Sequence, residues 1–348
     1  MKSTGSNPAR HRSCGGPWDA STWTAWLVLA LSACSEPQDA DTWHVVLEDF
    51  EHAALLSVWV DDDGTAIAVG SNGSEGVVLT YDGDAWQQRN IREGGLWWVS
   101  MAPDGTRWIV GDNGTIISTS RDGDEQTEQA PEPVRLYGVI GFAANEAWAV
   151  GGDEQDNRGV VWRFDGTSWS MPEDLDAMLL DGFVCFKVWG TSQDDLWIVG
   201  VGGRMLHRSS SGWENILVPS GRPLFTVHGI SGGPIVGVGG FQTGLVVELH
   251  DAMLTDVTPA GALQQNGVHV IDATRAIAVG NMGTVWWRSS EGWAPDERAP
   301  VLPRDYHGAF VDAQGGVWTV GGSLQGDTPS HGVLSYFGSA PPSPALSE

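Results

Sequence analysis

Three histidines in the second half of the chain could bind a metal ion. His228 and His269 each directly follow a valine and stand 41 residues apart, and His307 lies 38 residues beyond His269. Imidazole is a common ligand of zinc and other transition metals, so three converging rings could hold one ion. The alternative is that the three histidines are isolated from one another and simply fill space in a partly hydrated channel inside the fold. Apart from such a pore or structural ion, the sequence predicts no cofactor.

Acidic turns offer a second possible metal chemistry. Residues 61–64 (DDDG), 82–84 (DGD) and 122–125 (DGDE) concentrate the carboxylates that calcium prefers. None of them has the twelve-residue spacing of an EF-hand loop. Aspartate and glycine are also what tight hairpin turns require, so we interpret these runs as turns.

A repeated unit must position these side chains. We use the term Val-Gly pair for seven such dipeptides that recur at a regular interval, with their glycines 41, 40, 49, 39, 41 and 41 residues apart. A small apolar residue stands twelve positions before each glycine: Val58, Val99, Val139, Val188, Val227, Val268 and Ala309. A period near forty, with β-branched and aromatic runs between turn residues, is typical of a β-propeller. The sequence therefore predicts an all-β fold, a seven-bladed β-propeller of four-stranded blades.

The last repeat lacks one strand, whereas residues 42–48 precede the first repeat without a blade of their own. Trp43 in this segment matches the outer-strand tryptophans Trp86, Trp169, Trp213 and Trp293. We predict that 42–48 complete the last blade and close the ring, which pairs otherwise open strand edges. A frayed extension is the alternative. The propeller then covers 42–338, followed by a flexible Pro/Ser/Ala tail at 339–348.

Tryptophan is abundant, with 19 residues. Four of them share one repeat position three residues before the Val-Gly glycine: Trp108, Trp148, Trp197 and Trp318. Because aromatic side chains bury large areas, we interpret this set as packing between blades rather than as ligand platforms.

The N-terminus has the features of a lipoprotein export signal. Basic residues precede an apolar segment at 23–31, which is too short to span a bilayer as a helix. Leu31-Ser32-Ala33-Cys34 resembles the lipobox of bacterial lipoproteins, whose cysteine is lipidated and begins the mature chain. We predict a signal peptide at 1–33, lipidation of Cys34 and a tether at 34–41. An ordinary secretory signal is the alternative. The predicted location is the cell envelope, on the periplasmic face of the outer membrane or at the cell surface, attached through the lipid only.

Charge and cysteine usage limit the partners. The chain carries 18 Lys and Arg against 44 Asp and Glu, a net charge of −26, and −28 remains once 1–33 are removed. Such a field repels nucleic acid and anionic surfaces, whereas cationic partners remain compatible. Cys185 is the single cysteine after Cys34, so no disulfide can form within the propeller, and its apolar neighbours predict a buried thiol.

Two hairpins carry a family resemblance. Residues 81–86 (YDGDAW) and 164–169 (FDGTSW) resemble degenerate Asp-box turns. With residues 108–117 (WIVGDNGTII) they make the chain similar to BNR-like propellers, a WD40- and YVTN-like architecture. That group includes sialidases, photosystem II stability-factor-like repeat proteins and many bacterial lipoproteins. The resemblance covers about 43–338 and implies the fold, not a reaction.

The sialidase-like members imply one possible function, a glycan-directed hydrolase or lyase with its site at the propeller centre. Their site uses an arginine cluster, a tyrosine nucleophile and an acid. Here Arg135 lies near Tyr137 and Arg304 near Tyr306, but the inner strands do not supply three arginines. The negative charge also opposes an anionic sugar, so the resemblance leaves enzymatic activity open and assigns no catalytic residue.

The favoured interpretation is a non-catalytic binding or scaffold module for an envelope protein or a surface glycan. The loops after the Val-Gly pairs and the loops that join blades share one face of a propeller, and binding residues concentrate on such loops. Long inserts at 151–159 and 170–184 belong to this face. The candidate partner-binding residues are Asp112, Asn113, Asp153, Glu154, Asp156, Arg158, Arg204, Gln242 and Asn281.

Overall fold

In a computed structural model, the structure describes residues 41–51, 53–250, 253–324 and 328–347, which fall in one compact unit. They form seven four-stranded antiparallel sheets arranged as blades, so the predicted seven-bladed β-propeller is confirmed. Blades one to three contain β2 (Ala54–Val60), β3 (Ala66–Ser71), β4 (Gly76–Tyr81) and β5 (Trp86–Ile91); β6 (Leu96–Met101), β7 (Arg107–Gly111), β8 (Thr115–Thr119) and β9 (Glu125–Gln129); and β10 (Arg135–Ala143), β11 (Glu146–Asp153), β12 (Arg158–Phe164) and β13 (Trp169–Ser170).

Blades four to seven follow in the same order. They contain β14 (Cys185–Ser192), β15 (Asp195–Gly200), β16 (Arg204–Ser209) and β17 (Gly212–Leu217); β18 (Leu224–Gly229), β19 (Ile235–Gly239), β20 (Leu245–His250) and β21 (Met253–Asp256); β22 (Gln265–Val270), β23 (Ala276–Gly280), β24 (Val285–Ser289) and β25 (Gly292–Pro295); and β26 (Asp305–Val311), β27 (Val317–Ser323) and β28 (Ser330–Gly338) with β1 (Thr42–Phe50).

The first strand of each blade contacts the first strand of the next, and the contact between β2 and β26 completes the ring. These inner strands line a central channel. We call the end of the propeller with the Val-Gly loops and the blade-to-blade connections the loop face. The opposite end, which carries the turns between first and second strands and between third and fourth strands, is the turn face.

The N-terminal strand closes the ring, as predicted from residues 42–48. Strand β1 pairs antiparallel with β28, Thr42 opposite Gly338 and Val45 opposite Ser335. The indole nitrogen of Trp43 also donates a hydrogen bond to Asp296 of blade six at 3.0 Å. Because Gly338 ends a third strand, the chain enters the propeller at the turn face.

The C-terminal segment, predicted from its composition as a flexible tail, lies along the outer edge of blade one. Leu346 forms a parallel bridge with Trp86. The backbone N–H of Trp86 donates to Ala345, and that of Ser347 donates back to Trp86, each at 2.8 Å. These contacts cover the start of an exposed edge strand.

The tryptophans at the shared repeat position pack between blades, as predicted. Trp108 and Trp148 are 1 % and 0 % exposed, and Trp197 and Trp318 are also buried. Trp108 of blade two contacts Phe164 and Trp169 of blade three at ring-centroid distances of 5.6 and 5.7 Å. Burying a large aromatic side chain contributes about 2–3 kcal/mol, so these contacts stabilise the ring substantially.

The glycine of every Val-Gly pair sits against the backbone of its inner strand. A Cβ added to Gly280 would lie 2.0 Å from the carbonyl oxygen of Gln264, and the other six Val-Gly glycines face the same obstacle at 1.9–2.4 Å. This close approach coincides with a register shift in each inner strand, such as that between Gln265 and Gly267. The shift is a β-bulge, which leaves one residue unpaired and re-aims its side chain.

The predicted signal peptide and Cys34 lie outside the described residues. Within the described ranges, helical structure is limited to short 3-10 turns at Asp112–Gly114, Ala177–Leu180 and Asn281–Gly283. No helix in this part of the chain is long and apolar enough to cross a membrane.

Candidate functional site

The seven bulged residues lie near the loop-face end of the inner strands. Each stands fourteen positions before a Val-Gly glycine, and the full set is Leu56, Trp97, Tyr137, Phe186, Phe225, Asn266 and His307. The residue directly before each bulge is fully buried at 0 % exposure, including Leu136 and Tyr306. In every inner strand the bulge therefore directly follows a core position.

Four consecutive blades place an aromatic residue at this bulged position. Trp97 contacts Tyr137 at a centroid distance of 5.1 Å, Tyr137 contacts Phe186 at 5.2 Å, and Phe186 contacts Phe225 at 5.5 Å. Phe241, in the loop after the fifth Val-Gly pair, extends the row to Phe225 at 5.7 Å and is 63 % exposed. We call these five rings the aromatic arc.

A polar cluster borders the arc at blades two and three. The Asp112 carboxylate accepts hydrogen bonds from the indole N–H of Trp97 at 3.0 Å and from Arg135 Nε at 2.5 Å. Arg135 donates to the Tyr137 hydroxyl, which in turn donates to Glu154. Burial raises the pKa of Tyr137, so its phenol stays protonated at neutral pH. This arrangement holds the arc in place and disfavours Tyr137 as a nucleophile.

The second Arg-Tyr pair from the sequence does not come together. Arg304 donates to Asp49 at 2.8 Å, whereas the hydroxyl of fully buried Tyr306 donates to Ser335. The register explains this difference. Tyr137 occupies the bulged position of β10, but Tyr306 stands one position before the bulge of β26 and points into the core.

Three predicted binding residues are close to the aromatic arc. Asp112 and Glu154 contact its rings through the polar cluster, and Gln242 follows Phe241 with a φ of 60°. Asn281 accepts from the side chain of Asn266, another residue at the bulged position, at 3.1 Å.

The remaining predicted residues organise the loops. Asn113 donates to the carbonyl of Glu93, and Asp153 accepts the backbone N–H groups of Gln155 and Asp156. Arg158 pairs with Glu132, and Arg204 donates to the carbonyl of Asp181. These contacts shape the loop face around the arc.

The structure brings together two of the three histidines. The ring centroids of His228 and His269 are 4.3 Å apart, whereas Nδ1 of His307 donates to the carbonyl of Leu56. His307 occupies the bulged position, three repeat positions nearer the loop face than the other two. In the described residues no three His, Cys, Asp or Glu side chains form a group suited to a metal ion.

The acidic hairpins make the hydrogen bonds of turns. One carboxylate oxygen of Asp82 accepts the backbone N–H groups of Asp84 and Ala85, and Asp165 does the same for Thr167 and Ser168. These backbone hydrogen bonds lower the pKa of Asp82 and of Asp165.

Cys185 is fully buried, and burial raises the pKa of its thiol.

The aromatic arc was missed by sequence reasoning, although its signal is present. Reading the residue fourteen positions before each Val-Gly glycine gives four aromatics in succession. The sequence alone does not show that this offset marks the bulged residue, because the bulge is visible only in the pairing of the strands.

No protein-family model and no curated protein matches this sequence. The structure is nevertheless similar to solved propellers. A catalytically inactive virginiamycin B lyase from Staphylococcus aureus with quinupristin matches with a TM-score of 0.63 at 10 % identity, covering 85 % of this chain and 99 % of that one. YCF48 bound to D1 peptide matches with 0.63 at 14 % identity over 86 % and 97 %. YCF48 from Cyanidioschyzon merolae gives 0.62 at 14 % identity over 85 % and 98 %. At such identities the likeness establishes the fold alone.

Proposed function

We propose that this chain is a non-catalytic envelope binding module whose loop face holds an apolar segment of a partner protein. The observation that carries the proposal is the aromatic arc, five contiguous rings that end in a largely exposed phenylalanine. Aromatic residues supply much of the binding energy in protein interfaces. One structurally similar propeller, YCF48, is bound to a peptide, which is compatible with this role.

Further apolar side chains on the loop face favour a protein over a glycan. They belong to blade connections, a Val-Gly loop and one strand end, and each is at least 37 % exposed: Met178, Leu217, Leu263, Met282 and Val301. Aliphatic side chains gain little from a hydroxyl-rich sugar but bury well against another protein. The net charge of −26 and the half-exposed Glu154 beside the arc favour a partner segment that also carries basic residues.

The glycan-directed hydrolase or lyase receives less support from the geometry. Arg304 and Tyr306 point apart, and the Tyr137 hydroxyl is held protonated between Arg135 and Glu154.

The proposal includes the predicted export signal and lipidation at Cys34, which would attach the module to the envelope.

Photocrosslinking in the native envelope tests the proposal. A photoreactive phenylalanine at position 225 should capture one dominant partner, and the purified partner should bind at least about tenfold more weakly to Phe241→Ser. Met253→Ser is the matched control, because Met253 is 68 % exposed in the same blade but on the turn face.

Equal binding by Phe241→Ser and the unchanged protein would contradict the role of the arc. Capture of wall or capsule polymer in place of a protein would contradict the choice of partner.

A further inference from the structure

A cavity of about 300 Å³ lies in the channel below the aromatic arc and reaches the turn face. Its walls are rich in aromatic side chains, contributed by Trp59, Trp98, Phe142, Trp189 and Phe310. The volume falls at the small end of the range for ligand pockets, about 300–1,000 Å³. The cavity therefore suits a compact, flat, largely apolar molecule.

Among the described residues that line this cavity, Lys187 is the single charged one. The sequence contains two lysines, Lys2 and Lys187, so the propeller places its one lysine here. Lys187 lies on the inner strand of blade four and is 3 % exposed. Its ammonium group donates to the carbonyl of Tyr137 at 2.7 Å and lies 4.3 Å from the ring centroid of Trp98.

The position of Lys187 depends on Gly138 in the neighbouring inner strand. A Cβ at Gly138 would stand 3.0 Å from the Cα of Lys187, so a larger residue would press directly against the lysine. The strand pairing places both residues directly after a bulge, at equivalent points of β10 and β14. The Lys187 side chain therefore extends past Gly138 of blade three toward Trp98 of blade two.

The Lys187 ammonium has no anionic partner among the described residues, although the chain contains 44 carboxylates. Of its three N–H donors, one has a hydrogen-bond acceptor in the described part of the chain. A buried charge without a counterion is strongly unfavourable, and an anion that entered the cavity would relieve this cost.

Other polar groups on the cavity wall also lack partners. Ser100 is 7 % exposed, and its hydroxyl has no hydrogen-bond partner in the described structure. His269 makes ring contacts with His228 and Phe310, but no hydrogen bond of its side chain occurs among the described residues. Buried polar atoms are normally satisfied, so the Ser100 hydroxyl indicates a missing polar ligand or water.

We propose that the cavity binds a small aromatic carboxylate, with the carboxylate paired to Lys187 and the ring packed among the aromatic walls. The hydroxyl of Ser100 faces the same space and can donate to a polar atom of the ligand. The acidic surface repels anions at long range, but the buried lysine acts at short range with little screening. This site is distinct from the loop face and does not depend on the function proposed for it.

The protonation of Lys187 adds a testable signature. Burial lowers the pKa of Lys187 to about 7. A bound carboxylate favours the ammonium and raises this pKa, so binding takes up protons at neutral pH. Affinity should therefore fall about tenfold between pH 6 and pH 8, as the unliganded lysine loses its proton.

Calorimetry of the full chain with three indoles tests the proposal. Indole-3-acetate should bind at least about tenfold more tightly than the neutral indole-3-acetamide, and the cationic tryptamine should not bind. Titrations in two buffers of different ionisation heat should show proton uptake for the acid. Equal binding of acid and amide, or binding of none of the three, would overturn the proposal.

Lys187→Met should abolish both the preference for the acid and the proton uptake. Arg298→Met is the matched control, because Arg298 lies 4.8 Å from the ring centroid of Phe337, far from the cavity lining, and should leave binding unchanged. If Lys187→Met does not fold, NMR of 13C-lysine in the unaltered chain gives the same information. Saturation with indole-3-acetate should raise the pKa of Lys187, and an unmoved pKa would refute the pairing.

Discussion

The imidazole rings of His228 and His269 stack in the channel wall, with centroids 4.3 Å apart and planes inclined by 25°. Lone pairs of stacked imidazoles lie in two nearly parallel planes and do not converge on one ion. The backbone N–H of Val270 donates to Nδ1 of His228 at 3.0 Å, which leaves its proton on Nε2. This geometry fits a neutral, structural pair.

Protonation of the pair should destabilise the fold. Burial and the neighbouring His269 lower the pKa of His228, and burial lowers that of His269 to about 4. Because the unfolded chain binds these protons first, stability should fall as the pH drops from about 6.5 to 4. His269→Phe should remove about 2 kcal/mol of the stability difference between pH 7.5 and pH 5. Urea unfolding at pH 7.5 and pH 5 measures it, with His44→Phe on the outer strand as control.

An identical pH dependence in His269→Phe and the unchanged protein would contradict this account of the channel.

The Val-Gly glycines should tolerate no side chain. In Gly280→Ala the new Cβ would collide with a backbone carbonyl at 2.0 Å, so the bulge must shift, at a cost of about 3 kcal/mol. Gly64→Ala is the control. Gly64 has a φ of +85° but open space around it, so alanine there should cost about 1 kcal/mol. Denaturant unfolding compares the two, and equal losses would mean that steric contact does not fix the bulge.

A buried ion pair joins blades five and six. Arg288 contacts both carboxylate oxygens of Glu248 at 2.8 and 2.9 Å, and the side chains are 12 % and 8 % exposed. Arg288→Met would leave the buried Glu248 without its guanidinium partner, held only by His250 and Trp293, and should cost about 3 kcal/mol of unfolding free energy. Arg89→Met breaks the exposed pair with Glu125 and should cost less than about 1 kcal/mol.

Acid should weaken the same pair. Although burial opposes it, hydrogen bonds from Arg288, His250 and Trp293 lower the pKa of Glu248. Its contribution to stability is therefore present above the unfolded pKa of about 4.3 and is lost as the pH falls through the lower folded value. Unfolding of Glu248→Gln between pH 7 and pH 3 should show a weaker dependence in this window than the unchanged protein does.

Lipidation should depend on Cys34. Cells grown with radiolabelled palmitate should incorporate the label into the chain, and Cys34→Ala should abolish incorporation and release the protein from the membrane fraction. Cys185→Ala is the control, because the buried thiol in blade four should not affect labelling. Label that persists in Cys34→Ala would contradict the assignment.

The repeat predicts the fold because seven glycines mark seven equivalent close contacts. The same spacing cannot predict the site, because the direction of a side chain depends on where the bulge falls. Tyr137 and Tyr306 have similar sequence neighbours but differ by one register position, and they point to different environments. Lys187 is conspicuous as a lone lysine, but its role depends on Gly138 in another blade. Pairing across strands supplies this information, which a linear pattern lacks.

The direction of the ring-closing strand has a consequence for orientation. Since β1 starts at the turn face, a lipid on Cys34 would tether that face to the bilayer, with nine residue steps and at most about 30 Å between Cys34 and Trp43. The aromatic arc would then project away from the membrane, toward proteins in the aqueous compartment. The cavity that contains Lys187 would open toward the lipid headgroups, where amphipathic carboxylic acids accumulate. The direction of β1 would thus expose one end of the channel to ligands in the aqueous compartment and the other end to ligands at the membrane surface.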